Sequence, residues 1–255
     1  MHKDTIECWD LIFDELKICD HDFKNPLYIA HNKIKDIVSK LSHIKNNKKE
    51  IRILGYITKR EHKPKIFREN NLFLLPASNA SWVMIKGDGY FDPKYLIDKK
   101  PKKIPNNIQL DTLTGDSEAR FIHEAVAKGI IQDFTKTEKL IFTLSGRKRV
   151  NPEFKYNAYG YELICKGAQI EIDSGYESEN DVILIEAKSG EVGSEIIRQL
   201  FFPYRFVSNI TNKNIRNIFF VLSNDKQSVS LFEYVFEDCM IYESIKLVNS
   251  EKYYL

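Results

Sequence analysis

Four cysteines, Cys8, Cys19, Cys165 and Cys239, are scattered over 255 residues with no C-x-x-C pair among them. That distribution excludes a disulfide framework and offers no zinc-binding spacing, so a reducing cytoplasm is the expected setting. No apolar run approaches the ~18 residues of a membrane span. The first residues, MHKDTIECWD, lack the charged-then-apolar pattern of a secretory leader. A soluble, intracellular protein with no membrane partner is expected. There is no internal repeat and no low-complexity tract. An excess of charge is missing too: the formal net charge is +2, which by itself argues neither for nor against nucleic acid.

What is present is enough apolar material for a packed core. Hydrophobic residues make up 43% and charged residues 29% of the chain, which excludes global disorder. The charge is unevenly placed. Residues 33–68 hold 12 Lys/Arg against 3 Asp/Glu, the local basic footprint of a phosphate-binding surface. Lys48, Lys49 and Arg52 are its candidate DNA contacts. The alternative is a solvated helix face followed by a charged loop.

Apolar residues at Ile6, Trp9, Ile12, Phe13 and Leu16 have helical spacing, and so do Ile34, Ile37, Val38 and Leu41, with Asn32 as a cap. Ile51–Ile57 fits a strand or a third short helix. Asn71–Leu75 and Ser81–Lys86 read as two strands joined by the turn P-A-S-N-A. Helices followed by a two-stranded ribbon suggest a winged-helix-like α+β module, or a generic α+β subdomain. Phe91–Asp116 then carries Pro93, Pro101, Pro105 and the run KKPKK, the composition of a linker. The expected domains are residues 1–110 and 111–255.

In the second domain, Asp116 or Ser117 caps a helix running to about Phe134. Its apolar face is Phe121, Ile122, Ala125, Val126 and Ile130. At ~100° per residue Glu118 falls on that face and Glu124 points away. Strands are expected at Lys139–Leu144, Tyr161–Cys165, Gln169–Asp173, Val182–Lys188, Asn217–Leu222 and Ser230–Phe236, with a helix over Ser194–Tyr204. This order predicts an α/β fold, a mixed central sheet flanked by helices on both faces.

The chemistry concentrates in QIEIDSGYESENDVILIEAKSG, Gln169–Gly190. Side chains alternate along a strand, so Glu171 and Asp173 share a face about 7 Å apart, and Glu186 and Lys188 share another. If the strands pair, Asp173 and Glu186 meet. Two carboxylates, water and a phosphate oxygen suit magnesium, which is hard and keeps part of its water shell. The metal would offset charge in the transition state and acidify an attacking water. Lys188 would either hold that water as a cation or take its proton as an amine. Charged residues are normally excluded from apolar strands, so E-A-K at the end of V-I-L-I carries weight. The alternative is a surface ion pair at the sheet rim. An acid at Glu118 on an apolar face is costly unless paired or bound to metal; otherwise it is a first-turn acid favoured by the helix dipole.

The acid, the E-x-K pair and the preceding helix together resemble the active site of the PD-(D/E)XK nuclease superfamily. The resemblance spans Asp116 to about Leu222. The string Q-I-E-I-D…I-E-A-K-S-G…R-Q-L-F-F-P-Y-R and the segment K-P-K-I-F-R-E-N-N-L-F-L-L-P look most like a type II restriction endonuclease. The resemblance implies catalytic Asp173, Glu186, Lys188 and Glu118, with metal on the three acids. It supports a role for Glu118 within G-D-S-E-A-R, and for Gln199 on the helix after the E-x-K strand. Glu171, Gln169, Arg198 and Arg205 complete the candidates for supporting or phosphate-contacting roles. Tyr204 lies five residues after Gln199, not the four of the recombination-exonuclease branch. The implied cofactor is Mg2+, and the implied partners are double-stranded DNA, a second copy of the chain by palindrome symmetry and a cognate DNA methyltransferase. The N-terminal domain would read the sequence and the C-terminal one would cut. The competing functions are a repair or junction-type nuclease of the same chemistry, and a non-catalytic DNA-binding protein on a degenerate nuclease fold.

Overall fold

The computed structural model describes residues 3–93, 96, 99–108, 117–190 and 193–255. In chain order the elements are α1 (Lys3–Glu15), β1 (Leu27–Ala30), α2 (His31–Ser39), α3 (Ile51–Leu54), α4 (Lys65–Glu69), β2 (Leu72–Ser78), β3 (Ser81–Lys86) and β4 (Tyr90–Phe91). There follow α5 (Glu118–Ala127), α6 (Ile130–Thr135), β5 (Ile141–Arg149), β6 (Phe154–Ala158), β7 (Tyr161–Cys165), β8 (Gln169–Glu177), β9 (Asp181–Ser189), β10 (Glu195–Ile196), α7 (Arg198–Ser208), β11 (Asn214–Leu222), β12 (Ser228–Phe236) and β13 (Ile245–Tyr254). They pack as two units. One comprises Met1–Phe91, Arg149–Gln169 and Ser194–Arg198; the other comprises Asp92–Lys148, Ile170–Gly193 and Gln199–Leu255. The division expected at 110/111 lies outside the described residues.

In the first unit the apolar face of α1 buries Trp9, Ile12 and Phe13. Trp9 stacks on Trp82 with ring centres 5.8 Å apart and meets Phe67 edge-on at 4.8 Å. Its indole N–H donates to the Leu54 carbonyl at 3.1 Å, so the buried polar atom of a large apolar ring is satisfied. The helical spacing of residues 34–41 is realised as α2, but its N-cap is Ala30, without a side-chain cap. Asn32 lies inside the first turn and accepts the Lys33 N–H instead. Ile51–Ile57 resolves as the short helix α3. Strands β2 and β3 pair antiparallel, and β1 joins on the far side of β3, giving the order β1-β3-β2. The antiparallel hairpin β6–β7 belongs to this unit: the Lys166 N–H donates to the Ala77 carbonyl at 3.0 Å, and the Tyr161 hydroxyl to that of Phe23 at 2.6 Å.

The second unit is built on a six-stranded sheet of order β13-β12-β11-β9-β8-β5. Strands β9 and β11 run parallel; β8–β9, β11–β12 and β12–β13 are antiparallel. Alternation along β9 sends Ile183, Ile185 and Ala187 to one face, under Phe121 and Ile122 of α5 and Ile131 of α6. Val182 and Leu184 go to the other, under Val207 of α7. The class is therefore a mixed α/β sheet with helices on both faces, as the element order predicts. Gly175 opposes Leu184 in the β8–β9 ladder. A Cβ there would lie 2.8 Å from the Leu144 Cβ, so only glycine lets β5 approach this closely.

Several boundaries differ from expectation. The helix expected from residue 116 or 117 to Phe134 is two helices. Gly129, at φ 76, breaks it after α5 and starts α6, a conformation glycine adopts without steric cost. Ser117 is the cap, its Oγ accepting the Arg120 N–H at 3.3 Å; Asp116 lies outside the described residues. Strand β8 does not end at Asp173 but continues to Glu177, so the turn to β9 is only residues 178–180. The helix expected from Ser194 starts at Arg198, because Glu195 and Ile196 pair with Phe91 and Tyr90 as a short ladder. No described helix is long and apolar enough to cross a membrane.

Candidate active site

Glu186 and Lys188 occupy alternate positions of β9, after Val182 and Leu184 on the face that α7 covers. Glu186 is 7% exposed. Its Oε1 accepts from the Lys188 ammonium and from Gln199 Nε2, the latter at 2.6 Å. The ammonium also donates to the Ala187 carbonyl at 3.0 Å. Gln199 reaches Glu186 because it lies in the first turn of α7, the helix that crosses this face.

Asp173 arrives from β8. The β8–β9 ladder runs from Glu177↔Val182 to Ser174↔Ile185. At the next position Asp173 Oδ2 accepts the Ala187 N–H at 2.9 Å. Ile172 already packs with Val182 and Leu184, whereas Tyr176 packs in the opposite core. The strand thus changes face between them, and the carboxylate takes over where the ladder ends. Asp173 is thereby fixed beside the residue that separates Glu186 from Lys188.

Glu118 enters from the first turn of α5. Burial raises its pKa; the Lys188 ammonium opposes that, the Asp173 charge adds to it, and hydrogen bonds from Ser189 pull it back. Those influences place Glu118 within electrostatic reach of both Lys188 and Asp173. Glu186 is pushed up to about 8, first by burial, against the pull of Lys188, with Asp173 and Glu118 adding to the rise. For Lys188 burial acts downward, but Glu186, Asp173 and Glu118 outweigh it and hold the ammonium charged. Asp173 and Glu118 thus both bear on the buried Glu186–Lys188 pair, and burial drives Glu186 and Glu118 toward their neutral forms until a cation is added. Among the described residues, no three His, Cys, Asp or Glu side chains are arranged to hold one metal ion.

A small cleft under α7 is lined by Glu171, Ile172, Glu186, Gln199, Pro203 and Asn217. The sequence pattern does not single out Asn217. It is 1% exposed, and its Nδ2 donates to the Tyr234 carbonyl at 3.4 Å. The one signal it offers is an amide heading the apolar run N-I-F-F-V-L.

The other candidates lie outside the hydrogen-bonded group of Asp173, Glu186, Lys188 and Gln199. Glu171 stands at the rim, exposed, with Arg147 Nε 3.7 Å from its Oε1. Gln169 is exposed at the first residue of β8 and belongs to the first unit. Arg198 also belongs to the first unit, where its charge bears on Tyr90, Tyr156 and Cys165. Arg205 is only 8% exposed, on α7. In the first unit, Lys48 is half-buried, Lys49 Nζ donates to the Leu41 carbonyl at 3.0 Å, and Arg52 pairs with Glu50 at 2.5 Å.

Residues 85–254 match a family described as "Domain of unknown function (DUF6997)", and residues 6–84 match one described as "Domain of unknown function (DUF6996)". No curated protein and no solved structure matches the chain.

Proposed function

We propose a function for a chain that belongs to the DUF6997 family: it is a magnesium-dependent DNA endonuclease with a PD-(D/E)XK-type site, acting as a type II restriction enzyme. The observation that carries this reading is the convergence of Asp173, Glu186 and Lys188 on adjoining strand ends, with Glu118 facing them from α5. Around them the order is helix α5, antiparallel strands β8 and β9, helix α7 and parallel strand β11.

The donor set fits magnesium. It is all oxygen and offers the one or two carboxylates this ion takes from a protein. Asp173 and Glu186 would hold it, and Glu118, which is not grouped with them around one ion, would orient its water. When bound, the ion would supply charge stabilisation at the phosphoryl oxygens and an acidified water. The chain's own residues set the stage. The Ala187 N–H fixes the Asp173 carboxylate, and Gln199 fixes that of Glu186. The Lys188 ammonium, held charged by three acids, orients the attacking water and favours its deprotonated form.

Support for sequence-specific recognition comes from the first unit. Its order α1-β1-α2-α3-α4-β2-β3, with sheet order β1-β3-β2, is compatible with a winged-helix-like module whose wing is the β2–β3 hairpin. The basic stretch 33–68 covers its middle helices. A palindromic target would require two copies of the chain, and a companion methyltransferase would protect host DNA. The test is incubation with unmethylated phage DNA and magnesium: discrete fragments support restriction, whereas a smear or nicks at junctions favour a repair-type nuclease.

A further inference from the structure

The site is interrupted in sequence by a segment that belongs to the other unit. Strand β9 ends at Ser189 and carries Glu186 and Lys188. Helix α7 begins at Arg198 and carries Gln199, which closes on Glu186. Between them, Ser194–Arg198 packs in the N-terminal unit.

Ordinary linkers are exposed and loosely held. Ser194, Glu195, Ile196 and Ile197 are instead 6%, 1%, 3% and 2% exposed. Ser194 Oγ accepts the Arg60 N–H at 2.8 Å and donates to Glu61 Oε2 at 2.9 Å. The Ile196 N–H donates to the Thr58 carbonyl at 2.9 Å, and that of Ile197 to the Gly89 carbonyl at 3.1 Å. Glu195 and Ile196 pair with Phe91 and Tyr90, and Lys59 Nζ lies 3.9 Å from Glu195. The gripping loop is itself anchored. The Arg60 guanidinium donates to both Asp88 carboxylate oxygens, at 2.9 and 2.7 Å, and Lys63 Nζ to the Asp88 carbonyl at 2.8 Å.

We propose that the loop 58–61, through Ser194, positions Gln199 and thereby couples the N-terminal unit to the Glu186 site. The inference rests on the nuclease reading for its consequence, but not for its geometry. Arg198 and Gln199 are successive residues of one helix, so a displacement of the 194–198 segment is carried into Gln199. Residues 58–61 lie within the basic stretch 33–68. DNA seated on that stretch acts on the same loop that holds Ser194. Recognition then sets the orientation of the amide that aligns Glu186, and Ser194 is a positioning residue rather than a catalytic one.

The experiment compares Ser194→Ala, Ser194→Thr and Glu61→Ala in the full chain. The readouts are single-turnover cleavage, DNA affinity and the side-chain amide NMR signal of Gln199, assigned by its loss in Gln199→Ala. Misalignment near a reacting group costs on the order of ten- to a hundredfold. Ser194→Ala is expected to lower the cleavage rate on that scale at unchanged affinity and to shift the Gln199 signal. Ser194→Thr restores both, and Glu61→Ala, which spares the buried segment, moves both in the same direction by less. An unmoved Gln199 signal in both alanine variants, or a full cleavage rate in Ser194→Ala, overturns the coupling. If the wild-type chain does not cleave, the nuclease reading falls, and the Gln199 signal alone decides the coupling.

Discussion

The Asp173 carboxylate accepts the backbone N–H of Ala187, the residue between Glu186 and Lys188, at 2.9 Å. The first acid of the site is thus fastened to the strand that carries the second acid and the lysine. Asp173→Ala leaves that N–H without its partner and removes one charge from the group. Cleavage is expected to fall by roughly two to three orders of magnitude, the scale for one preorganised electrostatic group. DNA affinity should change little. Single-turnover kinetics and a gel-shift titration check it, and wild-type cleavage by the variant would remove Asp173 from the site.

Gln199 donates to Glu186 Oε1 at 2.6 Å. Gln199→Ala removes a hydrogen bond to the Glu186 carboxyl, an interaction of about 0.5–1.5 kcal/mol. The cleavage rate is expected to drop by up to about tenfold, with the magnesium requirement shifted upward. A magnesium titration of the cleavage rate measures both.

How far this site is legible in the sequence depends on the kind of signal. Asp173, Glu186 and Lys188 stand out because charged residues interrupt or close apolar strand patterns, and Glu118 because it falls on an apolar helix face. Asn217 does not, since one amide in an apolar run has no spacing to measure. The β9 alternation is readable from V-I-L-I-E-A-K. The change of face in β8 is not, because it depends on where the ladder with β9 ends. Gly129 breaks the α5–α6 helix by its backbone conformation, which its neighbours in sequence do not reveal. The burial of Ser194–Ile197 is hidden for a similar reason: I-I-R-Q-L-F-F has helical spacing, and only pairing with Tyr90 and Phe91 pulls its start into a strand. Strands β6 and β13 are hidden as well; the exposed, polar character of I-K-L-V-N-S-E-K-Y-Y in β13 gives little period to read.

Lys63 is 5% exposed, and burial lowers its pKa to about 8, against the opposing pull of Asp88. Its folded-state pKa lies below the unfolded value of 10.5, so the unfolded chain binds more protons between them. Its destabilising contribution is full below about 8 and is relieved as the pH rises to about 10.5. The stability difference between wild type and Lys63→Met should therefore shift in favour of wild type across that window. Denaturant unfolding at about pH 7, 9 and 10.5 tests it; a pH-independent difference would mean that Lys63 keeps an ordinary pKa.

Lys48, Lys49 and Arg52 lie in or beside the short helix α3 of the N-terminal unit. Charge reversal at all three is expected to weaken DNA binding and to flatten its salt dependence. The slope of log affinity against log salt should fall by about 0.9 for each phosphate that is no longer neutralised. An unchanged slope would place the DNA surface elsewhere.

Whether the chain is a magnesium-dependent endonuclease is decided by incubating the purified protein with unmethylated phage DNA, with magnesium, with EDTA, and with Lys188→Ala beside the wild type. Discrete fragments are expected from the wild type in magnesium alone, and intact DNA in the other two. Intact DNA from the wild type under every metal condition, or equal cutting by Lys188→Ala, would contradict the proposed site.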